Sequence, residues 1–316
     1  MSDSLSKNSV NFHLVTEKDE NQRLDNLLVR LLRDVPKTHI YRIIRCGEVR
    51  VNKRRATANH KVQLGDSIRI PPLITSPKAD STSLHIPKAT FPIIYEDKYY
   101  LIINKPAGIA CHGGSGISYG VIEQLRHSYS TLKFLELAHR LDRDTSGILI
   151  LAKKRHALVE LQELIKNGQV HKNYLALTCG VWRDNLRNVK VPLYKYVTKD
   201  GERRVKVDHE SGQFAHTIFS VVKNFNDCTL VNADLKTGRT HQIRVHLQYL
   251  GYPIVGDDKY GDFEQNKCFV KSGIKRMFLH AHRIEFIHPV TQTKIELEAK
   301  LPSNLQTFLN FKEKQN

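Results

Sequence analysis

The densest run of reactive side chains in this 316-residue chain is HRLDRDTSGILILAK, residues 139–153. It sets a histidine, two arginines, a threonine, a serine and the carboxylates Asp142 and Asp144 within eight positions, then passes through Gly147 into an apolar run. A charged loop that feeds directly into a strand is held by the sheet behind it, and catalytic groups are commonly aimed from such loops. The plainer reading is a solvent-exposed turn. A carboxylate there acts as nucleophile or base only if it stays ionised and fixed, which a neighbouring guanidinium achieves by favouring the charged form. Arg239 and Arg244 in GRTHQIR are the candidates for that guanidinium. Ile243, Leu247 and Leu250 form the stripe a helix buries, so Arg244 emerges beside the core, whereas Arg239 precedes the helix and is placed to grip a phosphate.

Other chemistries fit less well. Ser146 with His139 and a neighbouring Asp has the residue types of a hydrolase triad, but there is no G-x-S-x-G elbow and triad members normally converge from distant segments. HGGSG (His112–Gly116) lacks the Lys-Ser/Thr of a P-loop and the spacing of a dinucleotide fingerprint, and reads as a flexible turn. His280 and His282 alternate on a strand without a third ligand at a familiar spacing. No metal site and no cofactor is implied.

The elements that must position these residues are mostly strands. FPIIYEDKYYLIINK reads as a hairpin, and GILILAK, NYLALTCGV, TIFSVV, CTLVNADL, MFLHAHRIEFI and KIELEA as further strands. Helices are expected near Ser118–Tyr129, Arg155–Asn167 and Thr240–Leu250, the last two followed by glycines. This order predicts an α+β domain over residues 91–316, with flanking helices on a mixed, mainly antiparallel sheet. Ahead of it, residues 73–90 have a linker's composition. Residues 21–72 form a smaller unit. Its first helix carries Leu24, Leu27, Leu28, Leu31 and Leu32 on one face and stops at Pro36; a second starts near Thr38 with Ile40, Ile43 and Ile44 inward and ends at Gly47. Short strands follow around EVRVN and DSIRIPP, and residues 1–20 read as a disordered tail.

A net charge of +17 and a pI near 9.6 attract a polyanion, which makes nucleic acid the leading partner. Nine Lys or Arg face two acids between Arg30 and Arg55, and Lys37, Arg42, Arg45, Arg50, Lys53 and Arg54 are the candidate contacts to an RNA backbone. A solvated basic face is the bland alternative. The five cysteines are scattered, without a C-x-x-C pair, as expected of buried thiols in a reducing compartment. The start, MSDSLSKNSV, lacks the apolar core of a signal peptide, and no apolar run approaches the ~18 residues of a membrane span. A cytoplasmic protein with no membrane partner is expected, and a monomer is the default.

The pattern RLDNLL…KTHIYRIIRCGEVRVNKRR…VQLGDSIRIPP resembles the S4 RNA-binding domain, a small α/β module, over residues 21–72. HRLDRDTSG matches the H-R-L-D-x-x-T-S-G motif of pseudouridine synthases of the large-subunit rRNA type. The resemblance continues through KNYLAL, LKTGRTHQIRVHL, GYPIVGDDKYG and LHAHRIEFIHP, and covers about residues 21–310. It implies the pseudouridine synthase fold and the isomerisation, without a cofactor, of several uridines in 23S rRNA or a large-subunit precursor. It further implies that Asp142 is the nucleophile and Arg244 its partner, while Asp144 falls on a variable position. By the same resemblance Tyr174 stacks on the extruded uracil, which is chemically sensible although a strand tyrosine beside Leu175 is otherwise core packing. Arg140 fills the space the base leaves, and Lys172 supports the site or the RNA backbone. The reaction breaks C1′–N1, rotates the uracil and rejoins it through C5; attack on the ribose, attack on the pyrimidine and removal of a ribose proton all remain open. A non-catalytic RNA-binding or ribosome-assembly protein shares the charge and the S4-like module, but binding alone has no need of a carboxylate facing phosphates.

Overall fold

The computed structural model describes residues 9–32, 35, 37–73, 87–113 and 119–315, and the chain divides into two compact units between residues 85 and 86. The first contains β1 (Asn11–Leu14), α1 (Leu24–Leu31), α2 (Lys37–Arg45), β2 (Arg50–Val51), β3 (Arg54–Arg55) and β4 (Ser67–Ile70). The leucine stripe of α1 and the isoleucines of α2 meet in one core with Val49, Val51, Val62, Ile68 and Ile70. Each such side chain contributes roughly 1.5–3 kcal/mol on burial. The four strands run in the order β1-β4-β2-β3 with antiparallel neighbours. Asn52 and Lys53 take φ of 49° and 66°, the double left-handed turn that suits a tight hairpin, and set Lys53 and Arg54 outward.

Of the tail expected over residues 1–20, residues 1–8 lie outside the described residues, and the remainder is corrected by β1, whose Asn11 and Leu14 pair with Ile70 and Ser67. Four alternating residues whose partners lie more than fifty positions away carry no local mark of a strand. Val15 and Asp19 are buried just after it.

The second unit contains β5 (Ile93–Glu96), β6 (Tyr100–Lys105), α3 (Val121–Ser128), β7 (Glu136–Leu137), β8 (Ser146–Ala152), α4 (Arg155–Lys166), β9 (His171–Cys179), β10 (Leu186–Lys190), β11 (Leu193–Val197), β12 (Arg203–Val207), β13 (His216–Asn224), β14 (Cys228–Leu235), α5 (Gln242–Tyr249), α6 (Phe263–Lys271), β15 (Leu279–Ile287), β16 (Lys294–Glu298) and α7 (Ser303–Gln315). One sheet runs β10-β13-β14-β9-β15-β8-β6-β5, with β16 beside β15 and β7 beside β8. Among the described residues only β8 and β15 pair parallel, so the sheet is mixed and mainly antiparallel as expected. Every residue of β8 is buried, because its alternate side chains enter two apolar clusters, Leu149 and Leu151 in one and Ile148 and Ile150 in the other.

The seven stretches read as strands are strands. The separate hairpin β11–β12, the strands β7 and β10, and the helices α6 and α7 were not anticipated. Their amphipathic patterns are short or broken by charge. The structured unit also begins before residue 91, since the Ala89 amide donates to Ser128 Oγ at 2.8 Å. Most of the predicted linker, residues 74–86, Ser118 of the helix expected from there to Tyr129, and Gly114–Gly116 of HGGSG lie outside the described residues; the helix, α3, begins at Val121. Cys111, Cys179 and Cys228 are buried, but Cys46 and Cys268 are exposed, so the expectation of buried thiols holds for three only. Among the described residues no helix is long and apolar enough to cross a membrane.

Candidate active site

The loop at residues 139–146 is pinned along its length from three directions. His139 Nε2 accepts from the Ile150 amide at 3.2 Å, and burial pushes this imidazole down to about 3, so it stays neutral. The Cys111 thiol bridges the backbone of Leu141, accepting from its N–H and donating to its carbonyl, both at 3.2 Å. Lys105, fully buried, donates to the carbonyls of Pro106, Ile109 and Arg143 at 2.8–3.0 Å. Burial pushes its ammonium down to about 8. Arg276 donates to the Asp144 carbonyl and to Ser146 Oγ, and Ser146 Oγ in turn meets His280 Nδ1 at 2.9 Å. Gly147 closes the loop at φ 112°, where an added Cβ would stand 2.2 Å from the Ala281 carbonyl oxygen, so only glycine lets β8 lie this close to β15.

At the centre of this scaffold Asp142 presents a side chain 26% exposed. Arg244, from the first turn of α5, reaches its Oδ2 with Nη1 at 3.0 Å. The rest of that guanidinium is spoken for: Nε and Nη2 each donate at 2.7 Å to the two oxygens of Asp257, which is fully buried. Burial works to lower the Arg244 pKa, but the hydrogen bonds and charge of Asp257 outweigh it and drive it above the usual value. Asp257 is likewise penalised by burial yet held below the usual carboxylate range by Arg244. The forked, permanently charged arginine therefore has one face committed to Asp257 and one Nη1 turned to Asp142. Of the two arginines considered, the structure pairs Arg244 with Asp142. Arg239 is exposed and donates to the Phe214 carbonyl at 3.1 Å.

Asp142 and Arg244 lie in a cleft of about 850 Å³ whose walls also include Arg140, Lys172, Tyr174, Arg239 and His241. Tyr174 sits on β9, 7% exposed, with burial raising its phenol far above the usual value. Lys172, two residues earlier on the same face, is half-buried and correspondingly lowered by burial. Arg140 is exposed at the rim. Asp144 pairs with its neighbour Arg143 at 3.3 Å. In the other unit Arg42, Arg45, Arg50, Lys53 and Arg54 are all exposed, Arg42 pairing with Glu48 and Arg50 donating to the Lys53 carbonyl. The side chain of Lys37 lies outside the described residues.

Sequence reasoning missed Asp257, Tyr260 and His241. The first two belong to GDDKYG, a run quoted for resemblance but given no role. Their side chains matter only because α5 packs on that loop: the Tyr260 ring lies 5.0 Å from the Arg244 guanidinium.

A family model described as RNA pseudouridylate synthase matches residues 99–249, and an S4 domain model matches residues 22–68. The chain belongs to the RNA pseudouridylate synthase family and is an isomerase that makes pseudouridine. It is 47% identical over 305 residues to the ribosomal large subunit pseudouridine synthase C of Haemophilus ducreyi, covering 95% of each chain. It is 45% identical over 307 residues to the protein of that name from Escherichia coli (strain K12), covering 95% of this chain and 96% of that one. Among solved structures, human RNA pseudouridylate synthase domain containing 4 superposes with a TM-score of 0.57 at 28% identity, covering 69% of this chain and 92% of that one.

Proposed function

We propose that this enzyme isomerises specific uridines of large-subunit (23S) ribosomal RNA to pseudouridine, with Asp142 as the nucleophile acting on a flipped-out base. The observation that carries the reading is the Asp142–Arg244–Asp257 chain, which holds one carboxylate against a clamped guanidinium, oriented and open to a cleft wide enough for a nucleotide. A guanidinium clamped from behind cannot swing away, so Asp142 keeps its orientation while the uracil detaches from C1′ and turns. The base loses a proton at C5 and gains one at N1, so the reaction is redox-neutral. In this reading Tyr174 stacks on the extruded uracil, Arg140 occupies the space it leaves, and Lys172 and Arg239 hold flanking phosphates. The N-terminal unit, with Lys37, Arg42, Arg45, Arg50, Lys53 and Arg54, supplies affinity for the RNA backbone. The rRNA substrate rests on the names of the relatives and on the S4 match.

The test is a map of pseudouridines in large-subunit rRNA from cells with the native protein, without it, and with Asp142→Asn. Sites lost in the null strain and not restored by Asp142→Asn support the proposal. An unchanged map overturns the substrate assignment, and restoration by Asp142→Asn overturns the nucleophile.

A further inference from the structure

His241 stands just before α5 in a left-handed conformation, φ 53° and ψ 20°, which costs a non-glycine residue energy that the surroundings must repay. Its side chain is not spent on capping the helix, since the N-cap makes no side-chain hydrogen bond there. The ring points into the cleft, 14% exposed, with Nε2 3.8 Å from Asp142 Oδ1. Arg244 holds the other oxygen, Oδ2. The two carboxylate oxygens thus face two different partners.

The hydrogen bonds behind the ring fix which nitrogen carries its proton. Tyr260 Oη accepts from the Val205 amide of β12 at 2.9 Å and lies 2.7 Å from His241 Nδ1. If Nδ1 carried the proton, the buried phenol would accept twice and its own hydrogen would have no acceptor among the hydrogen bonds the structure gives it. All protons find partners only when Tyr260 donates to Nδ1, which leaves the imidazole proton on Nε2, directed at Asp142. An edge-to-face contact between the two rings, 5.4 Å between centroids, holds this geometry.

We propose that His241, locked by Tyr260 in its Nε2–H tautomer, is a positioning residue that donates to the Asp142 oxygen Arg244 leaves open. The inference rests on the reading of Asp142 as the acting carboxylate. A separation of 3.8 Å is longer than a hydrogen bond, and the bond forms as RNA fills the cleft, in the way catalytic hydrogen bonds tighten when substrate binds. Burial lowers the imidazole pKa; of the charged groups facing it, Arg244 and Lys259 lower it further while Asp142 and Asp257 raise it, and the net direction is down. His241 is therefore a neutral donor at pH 7. The Val205 link also ties the hairpin β11–β12 to the orientation of Asp142 through two hydrogen bonds.

The test measures kcat and KM on an RNA stem-loop for the full chain and for His241→Ala, His241→Gln, Tyr260→Phe and Asp142→Asn. Gln carries an N–H donor near the Nε2 position but cannot act as an imidazole base. His241→Ala should lower kcat about 100-fold, the scale of a misplaced reacting group, with KM within about twofold. His241→Gln should recover most of the loss, and Tyr260→Phe should fall between them. Equal loss in Ala and Gln would show a base or a merely structural ring and overturn the proposal. So would a rise in KM without a fall in kcat, or no change in either. If Asp142→Asn is inactive while the His241 variants match the native enzyme, only this inference fails; an active Asp142→Asn removes the reading beneath it.

Discussion

Arg244 is 5% exposed and meets Asp142, Asp257 and Asp258, so its removal strands the fully buried Asp257 without a counter-charge. Breaking a buried pair from one side costs about 3–5 kcal/mol, whereas replacing both partners by apolar groups is far milder. Arg244→Met should therefore lower the unfolding free energy of the larger unit by about that amount in urea titrations, and Arg244→Met with Asp257→Asn, which removes the stranded charge but keeps an oxygen for the Lys259 and Tyr260 amides, should regain part of it. Equal instability of the single and double variants would point to packing instead of charge. Asp142 and Asp144 provide a second contrast. They lie two residues apart, but one faces Arg244 and the other pairs with exposed Arg143. Asp142→Asn should cut turnover by about 1000-fold or more, as expected when a nucleophile is removed, while Asp144→Asn keeps most of it; an RNA isomerisation assay with both variants side by side decides.

Among the elements, β8 holds the loop because it is buried along both faces and crosses β15 at Gly147. Gly147→Ala places a methyl carbon on the Ala281 carbonyl at φ 112° and should cost about 2–3 kcal/mol. Activity should fall together with thermal stability, and a fully stable, fully active variant would show that the two strands can part without consequence. In the N-terminal unit, α1 is tied to the preceding turn through Arg30 and the buried Asp19, which also meets His13 at 3.0 Å. Burial works to raise the Asp19 carboxyl, but His13 and Arg30 together outweigh it and hold it well below the usual range. A depressed folded-state pKa stabilises above the unfolded value, near pH 4, and that stabilisation is lost as the pH falls below it. Asp19→Asn should thus be less stable by about 2 kcal/mol at pH 7, with the gap to the native protein closing on acidification below about pH 4. A gap independent of pH would rule out the charge as its source.

At the scale of the whole molecule, each unit has its own apolar core, with α1 and α2 over one small sheet and the clusters around β8 in the other. A chain begun at Pro87 keeps Ala89 on Ser128 and retains every residue of the cleft. It should bind rRNA fragments more weakly and with a flatter salt dependence, since each phosphate contact removed reduces the log–log slope by roughly 0.7–0.9. Turnover at saturating RNA should change little. If the folded truncated protein binds with unchanged affinity and slope, the basic residues between Arg30 and Arg55 have another task.

The sequence alone determined what local pattern can carry. Alternation marked the strands of the larger sheet, leucine and isoleucine stripes marked α1 and α2, and HRLDRDTSG with GRTHQIR marked the candidate nucleophile and two possible partners. These are properties of neighbouring residues, read by period and by motif. Tertiary structure decided the rest. Resemblance and helical spacing already favoured Arg244 over Arg239, but the packing of α5 against residues 257–260 is what clamps Arg244 toward Asp142, through a carboxylate that no spacing announces. β1 exists because β4, remote in the chain, offers it an edge. The tautomer of His241 depends on a phenol and on an amide from β12, each remote in sequence, whose proton count closes only once the fold has brought them together.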